Sequence, residues 1–311
     1  MRVIKNWILA TFILSFLVII AGGIVRTTQS GMGCPDWPRC FGKWIPPTNA
    51  SELPADFEKY LGKQDIDHSF NAYHTWIEYF NRLLGVLLGL FAIIQVALIY
   101  KKRKQLTRPF KLALAFLITV ILTGLFGAIV VKLNLAHVSI SVHLLFALLL
   151  TQIQLALWLD IRDKIQVLPA AASLRKWTII FLLLIFIQSV LGTMVRMYID
   201  DISRALNYQQ RDTWLADSPT AFLIHRSFSW VVLIIGLFLA WKSNNVPALK
   251  NKYFLLAAVL LTSMITGVGL FYAGMPALAQ PLHLLLASLG ITQTVSILLQ
   301  LRATGSNRAL S

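Results

Sequence analysis

The amino-acid sequence predicts an all-α integral membrane protein with eight transmembrane helices. The 311 residues are 57% hydrophobic and only 13% charged, whereas an ordinary soluble domain has about 25% charged residues. Mean hydropathy is +0.69. The sequence also contains eight apolar stretches long enough to cross a bilayer, which takes about 20 residues of helix. These observations exclude a soluble globular enzyme and a disordered chain, which needs low hydrophobicity.

The first apolar stretch is predicted to be an uncleaved helix. It follows Arg2 and Lys5 and continues into Gly22-Gly23-Ile24-Val25-Arg26, so it is longer than the apolar part of a signal peptide and lacks its small-residue cleavage site. The eight predicted spans are, in chain order, about 7–27, 76–100, 112–131, 140–159, 178–198, 220–241, 253–273 and 281–301.

The formal net charge of +15 is unevenly distributed between the predicted spans. With the N-terminus in the cytoplasm, the whole excess falls on the inner segments, and the outer segments are balanced. The positive-inside rule therefore predicts that both termini are cytoplasmic. The basic excess indicates anionic membrane lipid as its partner and excludes nucleic acid. The inner segments are 1–6, 101–111, 160–177, 242–252 and 302–311.

The longest predicted connection is an outer loop over 28–75, which carries both cysteines in Cys34-Pro-Asp-Trp-Pro-Arg-Cys40. The segment 34–40 is called the Cys loop below. Two prolines favour a tight loop over a helix, and disulfides persist on the oxidising side of a membrane. We therefore expect a Cys34–Cys40 disulfide, with reduced thiols or a redox-cycling pair as alternatives. A metal site is not expected, since segment 28–67 contains no histidine.

Spans 1–4 and 5–8 look like copies of one another. An even number of spans per copy gives both copies the same orientation, related by an axis along the membrane normal. We therefore expect two pseudo-symmetric four-helix bundles, 1–160 and 161–311. The matches are Gly22–Arg26 with Gly192–Arg196, Asn81-Arg82 with His225-Arg226, Thr123-Gly124 with Thr266-Gly267, and His143–Gln152 with His283–Gln293.

Three histidines, His143, His225 and His283, lie near the starts of helices that begin at the outer face. Ionisable residues within spans usually face the bundle interior, so the repeat predicts that His225 and His283 face each other. Two imidazoles on facing helices can hold haem iron from both sides. The alternative is that they are polar residues at a helix interface; zinc is less suited because it takes three or four ligands.

The first copy differs from the second, because Asn81 stands where the repeat predicts histidine. His74 lies seven residues, about two turns, before it. If the helix starts early, His74, Glu78 and Arg82 share one face. Glu78 is then either a partner of Arg82 or a functional carboxylate beside a substrate site, and both roles can hold together.

Four arginines, in two repeat-related pairs, lie near the predicted outer surface. Their guanidinium groups suit carboxylates such as haem propionates, and anchoring to lipid headgroups is the alternative. The sequence has no phosphate-binding glycine loop, dinucleotide fingerprint or CxxCH haem-attachment motif. The pairs are Arg26 with Arg196 and Arg82 with Arg226.

Taken together, these motifs resemble the haem A synthase family over nearly the whole chain. The residues that carry the resemblance are Gly22–Gly31, Cys34–Cys40, Glu78–Arg82, His143, His225-Arg226 and His283. The resemblance implies a membrane oxidoreductase that converts a methyl group of haem O to the formyl group of haem A, in support of cytochrome oxidase assembly.

The resemblance also implies two haem sites. In the second half, His225 and His283 would ligate the iron of a haem b cofactor, with Arg196 and Arg226 nearby. In the first half, His143 would ligate the substrate haem O, and Glu78 would be the catalytic carboxylate. The other residues implied at the substrate site are His74, Asn81, Arg26 and Arg82.

The resemblance implies the bacterial inner membrane, and the charge asymmetry predicts that the site lies toward the extracytoplasmic side, where both cysteines, Glu78 and the histidines lie. Electrons would pass to a quinone or another membrane acceptor, and the enzyme that forms haem O is a further candidate partner. The family pattern Glu-Tyr-x-His-Arg is broken at Asn81, so the substrate iron is expected to bind His143 alone or His143 with His74. The competing hypotheses are a b-type cytochrome electron carrier and a haem transporter or chaperone.

Overall fold

The chain is all-α in the computed structural model, which describes residues 1–61, 70–162 and 172–301. Eight of its helices are long and apolar enough to cross a membrane, and the described ranges contain no β-strand, as the sequence predicts. The long helices are α1 Arg2–Thr27, α2 Ala72–Tyr100, α3 Thr107–Lys132, α4 His137–Ile161, α5 Ala172–Ala205, α6 Thr220–Lys242, α7 Pro247–Tyr272 and α8 Ala279–Gln300.

Helix α2 begins at Ala72, before its apolar stretch. The predicted outer loop 28–75 is therefore wrong at its C-terminal end. The side chain of Asn71 accepts hydrogen bonds from the backbone N–H groups of Tyr73 and His74, at 3.0 and 3.3 Å. This cap satisfies N–H groups that a helix start leaves without intrahelical partners. The connection therefore ends at residue 71. Its segment 62–69 lies outside the described residues, as do 163–171 and 302–311 of the predicted inner segments.

Helix α5 continues to Ala205, well past the predicted end at residue 198. The extension is polar, and Arg196 forms an ion pair with Asp200 one turn later, with Nη2 and Oδ1 2.9 Å apart. Pairs at this spacing stabilise a helix. The helix therefore outlasts its hydrophobic segment, which is why hydropathy alone places its end too early.

The chain divides into two compact units, Met1–Ile161 and Arg162–Ser311. In unit 1 each long helix contacts two others, because α2 contacts α1 and α3, and α4 contacts α3 and α1. Leu14, Leu88, Ala92, Phe116 and Leu150 form a buried cluster inside this ring. A second buried cluster, further from the Cys loop, consists of Ile4, Ile8, Ile99, Ala113, Leu157 and Ile161.

A buried pair of amide side chains ties three helices of unit 1 together. Gln95 on α2 and Gln154 on α4 exchange hydrogen bonds of 3.1 and 2.8 Å. Gln154 also donates to the backbone oxygen of Ile8 on α1, at 3.0 Å. Both glutamines are 1% exposed or less, so these bonds satisfy polar groups that would otherwise be costly to bury.

Unit 2 has the same order of helix contacts, since α6 contacts α5 and α7, and α8 contacts α7 and α5. Near the α6 N-terminus a buried apolar cluster joins α5, α6 and the two connections at that end. Its members are Val195, Ile199, Trp214, Leu215, Phe222 and Met275. Within each unit the helices are thus arranged as a bundle of four; the pseudo-symmetry of the two bundles and the cytoplasmic placement of the termini stay predictions.

The buried amide pair gives a prediction about stability. Gln154→Ala removes three interhelical hydrogen bonds and leaves the Gln95 amide without its partner. Interhelical hydrogen bonds in membranes contribute about 0.6 kcal/mol each on average, so we expect the free energy of unfolding to fall by about 1–2 kcal/mol. Thermal unfolding of detergent-solubilised protein measures this. Gln105→Ala, at an exposed position, is the control, and equal stability of the two variants would contradict the prediction.

Candidate functional site

The Cys loop is a compact, bonded turn at one end of unit 1. Cys34 and Cys40 are joined sulfur to sulfur, and both are fully buried. The carboxylate of Asp36 accepts hydrogen bonds from the N–H groups of Phe41 and Gly42, at 2.6 and 2.9 Å. The turn is therefore held by its own side chains as well as by the sulfur bridge.

Arg82 on α2 binds the backbone of the Cys loop. Its guanidinium donates to the carbonyl oxygens of Cys34, Asp36 and Arg39 at 2.8, 2.7 and 2.9 Å. Its Nε also donates to Oε1 of Glu78, at 3.1 Å. A planar fork of donors suits this task because it can reach several acceptors at once.

Glu78 uses both carboxylate oxygens in the same assembly. Oε1 pairs with Arg82, and Oε2 accepts a 2.7 Å hydrogen bond from the N–H of Cys34. Glu78 is 4% exposed, so its charge is compensated by a cation and a backbone donor, as a buried carboxylate requires. The carboxylate thus joins helix α2 to the first residue of the disulfide.

Gly33 brings the chain into backbone contact with α2. A Cβ at this position would lie 2.4 Å from both the carbonyl carbon and the oxygen of His74, a distance no side chain can occupy. Thr75 donates from its hydroxyl to the Gly33 oxygen at 2.8 Å. Only glycine allows this approach, which sets the position of Cys34 over the helix.

His74, Glu78 and Arg82 lie on one face of α2, as their spacing predicts for an early helix start. His74 is half-buried, and its ring lies beside that of Tyr73, with centroids 5.8 Å apart. It is in the first turn of the helix, next to Gly33. Arg26 is half-buried in the last turn of α1.

In unit 2 the rings of His225 and His283 lie close together, with centroids 6.4 Å apart and planes inclined by 77°. Nδ1 of His283 lies 2.9 Å from the backbone oxygen of Ser263 and 3.1 Å from the hydroxyl of Thr266. A hydrogen bond from Nδ1 to a carbonyl leaves Nε2 with its lone pair. Nδ1 of His225 is buried and has no hydrogen-bond partner in the part of the chain that the structure describes.

Each of these two rings rests against a glycine of a neighbouring helix. A Cβ on Gly192 of α5 would be 3.2 Å from Cε1 of His225, and one on Gly267 of α7 would be 3.2 Å from Cε1 of His283. Both distances are tighter than an ordinary contact. The two glycines therefore define the space in which the imidazoles stand.

Unit 1 retains half of this arrangement. His143 on α4 has its Cε1 3.4 Å from where a Cβ of Gly127 would be. Asn81 on α2 is the residue that the predicted repeat matches with His225, and its Oδ1 is buried without a hydrogen-bond partner among the described residues. A Cβ on Gly22, the counterpart of Gly192, would meet no described atom within 4 Å.

The sequence match of Thr123-Gly124 with Thr266-Gly267 is wrong by one helical turn. Gly127, and not Gly124, is the glycine against which His143 packs. Gly127 and Gly267 are separated by the same number of residues in the sequence as His143 and His283. The glycine contacts with the histidines were not predicted at all. The recurrence of glycine 16 residues before His143 and before His283 is the signal that could have found them.

The unit 2 arginines have local partners. Arg196 pairs with Asp200 and donates to Gln280 on α8, while exposed Arg226 lies over the Phe222 ring, 5.6 Å from its centroid. Phe222 precedes Arg226 by four residues, as Glu78 precedes Arg82. A carboxylate at this position is therefore specific to unit 1.

Comparison with known proteins identifies the family. The sequence profile of a family described as cytochrome oxidase assembly protein matches residues 5–295. The chain belongs to this family. Among relatives named "Heme A synthase", that of Rhizorhabdus wittichii is 25% identical over 87% of this chain and 88% of its own length. That of Ehrlichia canis is 26% identical over 90% and 88%.

The relative from Shewanella oneidensis, also named "Heme A synthase", is 29% identical, but the match covers 51% of this chain and 46% of that protein. Membership in the family therefore rests on the profile, whose residues 5–295 include all or most of each of the eight long helices that the structure describes. It holds for both units, including the Cys loop and the four helix positions that carry His143, Asn81, His225 and His283.

The contact at Gly33 gives a prediction about the Cys loop. Gly33→Ala places a methyl group against the His74 backbone, so we expect the loop to move away from α2 and the disulfide to become accessible. The rate of reduction by a water-soluble phosphine, followed by thiol labelling, should rise several-fold. Gly89→Ala is the matched control, because a Cβ there meets no described atom within 4 Å. Equal reduction rates in both variants would contradict the close contact.

Proposed function

We propose that this family member is a haem A synthase that oxidises a methyl group of haem O to the formyl group of haem A. The observation that carries the proposal is that the two units have different potential ligands and catalytic side chains. Unit 2 has a pair of imidazoles and Phe222 four residues before its helix arginine, whereas unit 1 has His143 together with Glu78, Arg82 and the Cys loop. One unit is thus equipped to hold a metal cofactor and the other to act on a substrate.

The residues of unit 2 fit a haem b. Metal–imidazole bonds are about 2 Å long, so one iron between two imidazoles holds the ring centres roughly 6 Å apart, and the His225 and His283 centroids are 6.4 Å apart. The hydrogen bond of His283 to the Ser263 oxygen is the support that metal-bound histidines usually have. Among the described residues no group of three or more His, Cys, Asp or Glu could hold a metal, and a haem needs only two.

His225 and His283 would hold the iron, and Arg196 and Arg226 are candidates for the propionates. When bound, the haem b would supply one-electron redox chemistry, and a quinone or another membrane acceptor is the candidate electron acceptor. Gly192 and Gly267 would keep the imidazoles in place, because each glycine packs directly against one ring.

In unit 1 the substrate haem O would be held by His143, with Asn81, Arg26, Arg82 and His74 as further candidate contacts. With water as the oxygen donor, each of two successive hydroxylations of the methyl group would pass two electrons to the membrane acceptor, and the doubly hydroxylated carbon would then lose water to give the aldehyde. Each hydroxylation would also release two protons. Glu78 is the residue we assign to accept them. Its carboxylate is held by Arg82 and by the N–H of Cys34, so the same contacts orient it and fix the Cys loop above the site. The Cys34–Cys40 pair is proposed to stay a disulfide that shapes this loop.

The proposed site lies toward the extracytoplasmic side of the bacterial inner membrane. The basic excess of the opposite face supports this placement through the positive-inside rule. The enzyme that makes haem O is a candidate partner because haem O is too apolar to cross water freely. A b-type electron carrier or a haem transporter needs His225 and His283 but has no use for Glu78.

Glu78 gives the decisive test of the function. The chain is co-expressed with a source of haem O, and the haems are extracted in acid and separated by chromatography. The unaltered chain should form haem A. Glu78→Gln, which keeps an acceptor for the Cys34 N–H but cannot take a proton, should lower the yield roughly 100-fold, within the range for loss of acid–base catalysis, while the protein keeps its haem.

Glu52→Gln is the matched control for this experiment. Glu52 is an exposed carboxylate of the outer loop, and hydrogen bonds from the Thr48 hydroxyl and N–H hold its pKa below the usual value. Its removal should leave haem A formation unchanged. Haem O recovered unchanged from folded, haem-loaded protein would reject the enzyme and leave the carrier or the transporter. Normal turnover by Glu78→Gln would limit Glu78 to anchoring the loop.

The ligand assignment in unit 2 gives a separate prediction. His225→Ala or His283→Ala should remove one low-spin b-type haem from the absorption spectrum of the purified protein, because each leaves the iron with a single imidazole. Added imidazole should restore part of the signal by filling the cavity. Asp217→Ala, at an exposed position outside the helices, is the control. An unaltered spectrum in either histidine variant would refute the assignment.

A further inference from the structure

The two units differ at the residue that precedes the helix arginine. In unit 2 the residue before Arg226 is His225, whose ring fills the space against Gly192. In unit 1 the residue before Arg82 is Asn81, whose side chain lacks the two outer ring atoms of histidine, Cε1 and Nε2. A Cβ on Gly22 would meet no described atom within 4 Å. The space left because asparagine is smaller than histidine is therefore not filled by another described group.

The histidine on the last long helix of each unit packs in the same way in both units. His143 packs against Gly127 as His283 packs against Gly267. Unit 1 therefore has one imidazole set as in unit 2, and opposite it an amide beside open space. Oδ1 of Asn81 is buried and lacks a hydrogen-bond partner among the described residues, although buried polar atoms are normally paired. This amide is available to a molecule that enters the space.

His74 does not take the place of the missing imidazole. It lies seven residues before Asn81 on the same helix, which is about 10 Å along the axis at 1.5 Å per residue. Its backbone is in contact with Gly33 at the first turn. An iron opposite His74 would be displaced by about 10 Å along α2, toward the start of the helix, from one opposite Asn81, and the Gly22 space would then serve no ligand.

We propose that unit 1 holds its haem through His143 alone and keeps the other face of the iron open to an exogenous ligand of one or two heavy atoms, such as water or a diatomic gas. This inference rests on the proposed binding of the substrate haem in unit 1. The ligand stands in the space beside Gly22, and the Asn81 amide hydrogen-bonds it, since an amide both donates and accepts.

The proposal assigns different chemistry to the two units. A metal site that transfers electrons is closed by protein ligands, whereas a site that reacts with a small molecule keeps one position open. Unit 2, with His225 and His283, is the closed form. Replacement of one histidine by Asn81 converts the same arrangement to the open form without any change of fold.

Carbon monoxide is the probe for the open position. The full-length protein in detergent, loaded with haem in both units, is reduced and titrated with carbon monoxide while its absorption spectrum is recorded. We expect one of the two haems to bind the gas and the other, held by two histidines, to remain unchanged. Asn81→His should abolish the binding and add a second low-spin haem to the spectrum.

Two leucine variants test the space itself. Gly22→Leu should fill it and abolish carbon monoxide binding, while the haem content stays the same. Gly89→Leu is the matched control and should bind the gas like the parent protein, because a Cβ there also meets no described atom within 4 Å but lies eight residues, about 12 Å, along α2 from Asn81. His74→Ala should bind no more gas than the parent protein.

Several results would overturn the inference. They are two low-spin haems and no gas binding in the parent protein, gas binding that survives Asn81→His, an open position that appears only in His74→Ala, and absence of haem from unit 1. None of these readouts requires turnover. Gas binding as expected with haem O left unchanged would reject the proposed function alone, and haem A formation by a protein that binds no gas would reject this inference alone.

Discussion

The arrangement at the Cys-loop end of unit 1 depends on the buried ion pair between Glu78 and Arg82. Burial of either charge alone would be strongly unfavourable, so each residue requires the other. Their remaining hydrogen-bonding groups then need partners, and the backbone of the Cys loop supplies all of them: the N–H of Cys34 for Glu78 and three carbonyl oxygens for Arg82. The loop is thereby fixed over α2 by groups that are common to every residue type.

The same helix positions in unit 2 show what the ion pair adds. Phe222 replaces the carboxylate and packs in an apolar cluster with Trp214 and Met275, and Arg226 is left exposed above its ring. The end of unit 2 is therefore closed by hydrophobic contacts, while the corresponding end of unit 1 is closed by charge and hydrogen bonds. Polar groups can be reorganised when a charged or hydrogen-bonding substrate arrives, and a close-packed apolar cluster resists such change.

The amino-acid sequence predicts the membrane helices well because twenty consecutive apolar residues have few alternatives to crossing a bilayer. Helix ends are less predictable. The start of α2 depends on the Asn71 cap, and the end of α5 follows the Arg196–Asp200 pair, neither of which hydropathy detects. The register between helices is also hidden, which is why Gly124 was matched where Gly127 makes the contact with His143.

The candidate site was only partly accessible to sequence reasoning. The internal repeat indicates that His225 and His283 form a pair and that Asn81 replaces the histidine expected in the first copy. Both follow from residue identities, which can be compared directly between the two copies. The binding of Arg82 to carbonyl oxygens could not be predicted, because a backbone carbonyl has no signature in the sequence. The open space at Gly22 likewise depends on which neighbouring side chains fail to reach it.

That Arg82 binds carbonyl oxygens has a consequence for sequence variation in the loop. The guanidinium contacts backbone atoms only, so its hydrogen bonds to the loop do not depend on the side chains at residues 37 and 39. Trp37 and Arg39 are exposed, and both can be substituted without loss of these bonds. Asp36 is the exception, because its carboxylate shapes the turn. The side chains on this surface can therefore change during evolution to suit different lipids or partner proteins, while the backbone of the loop keeps its position.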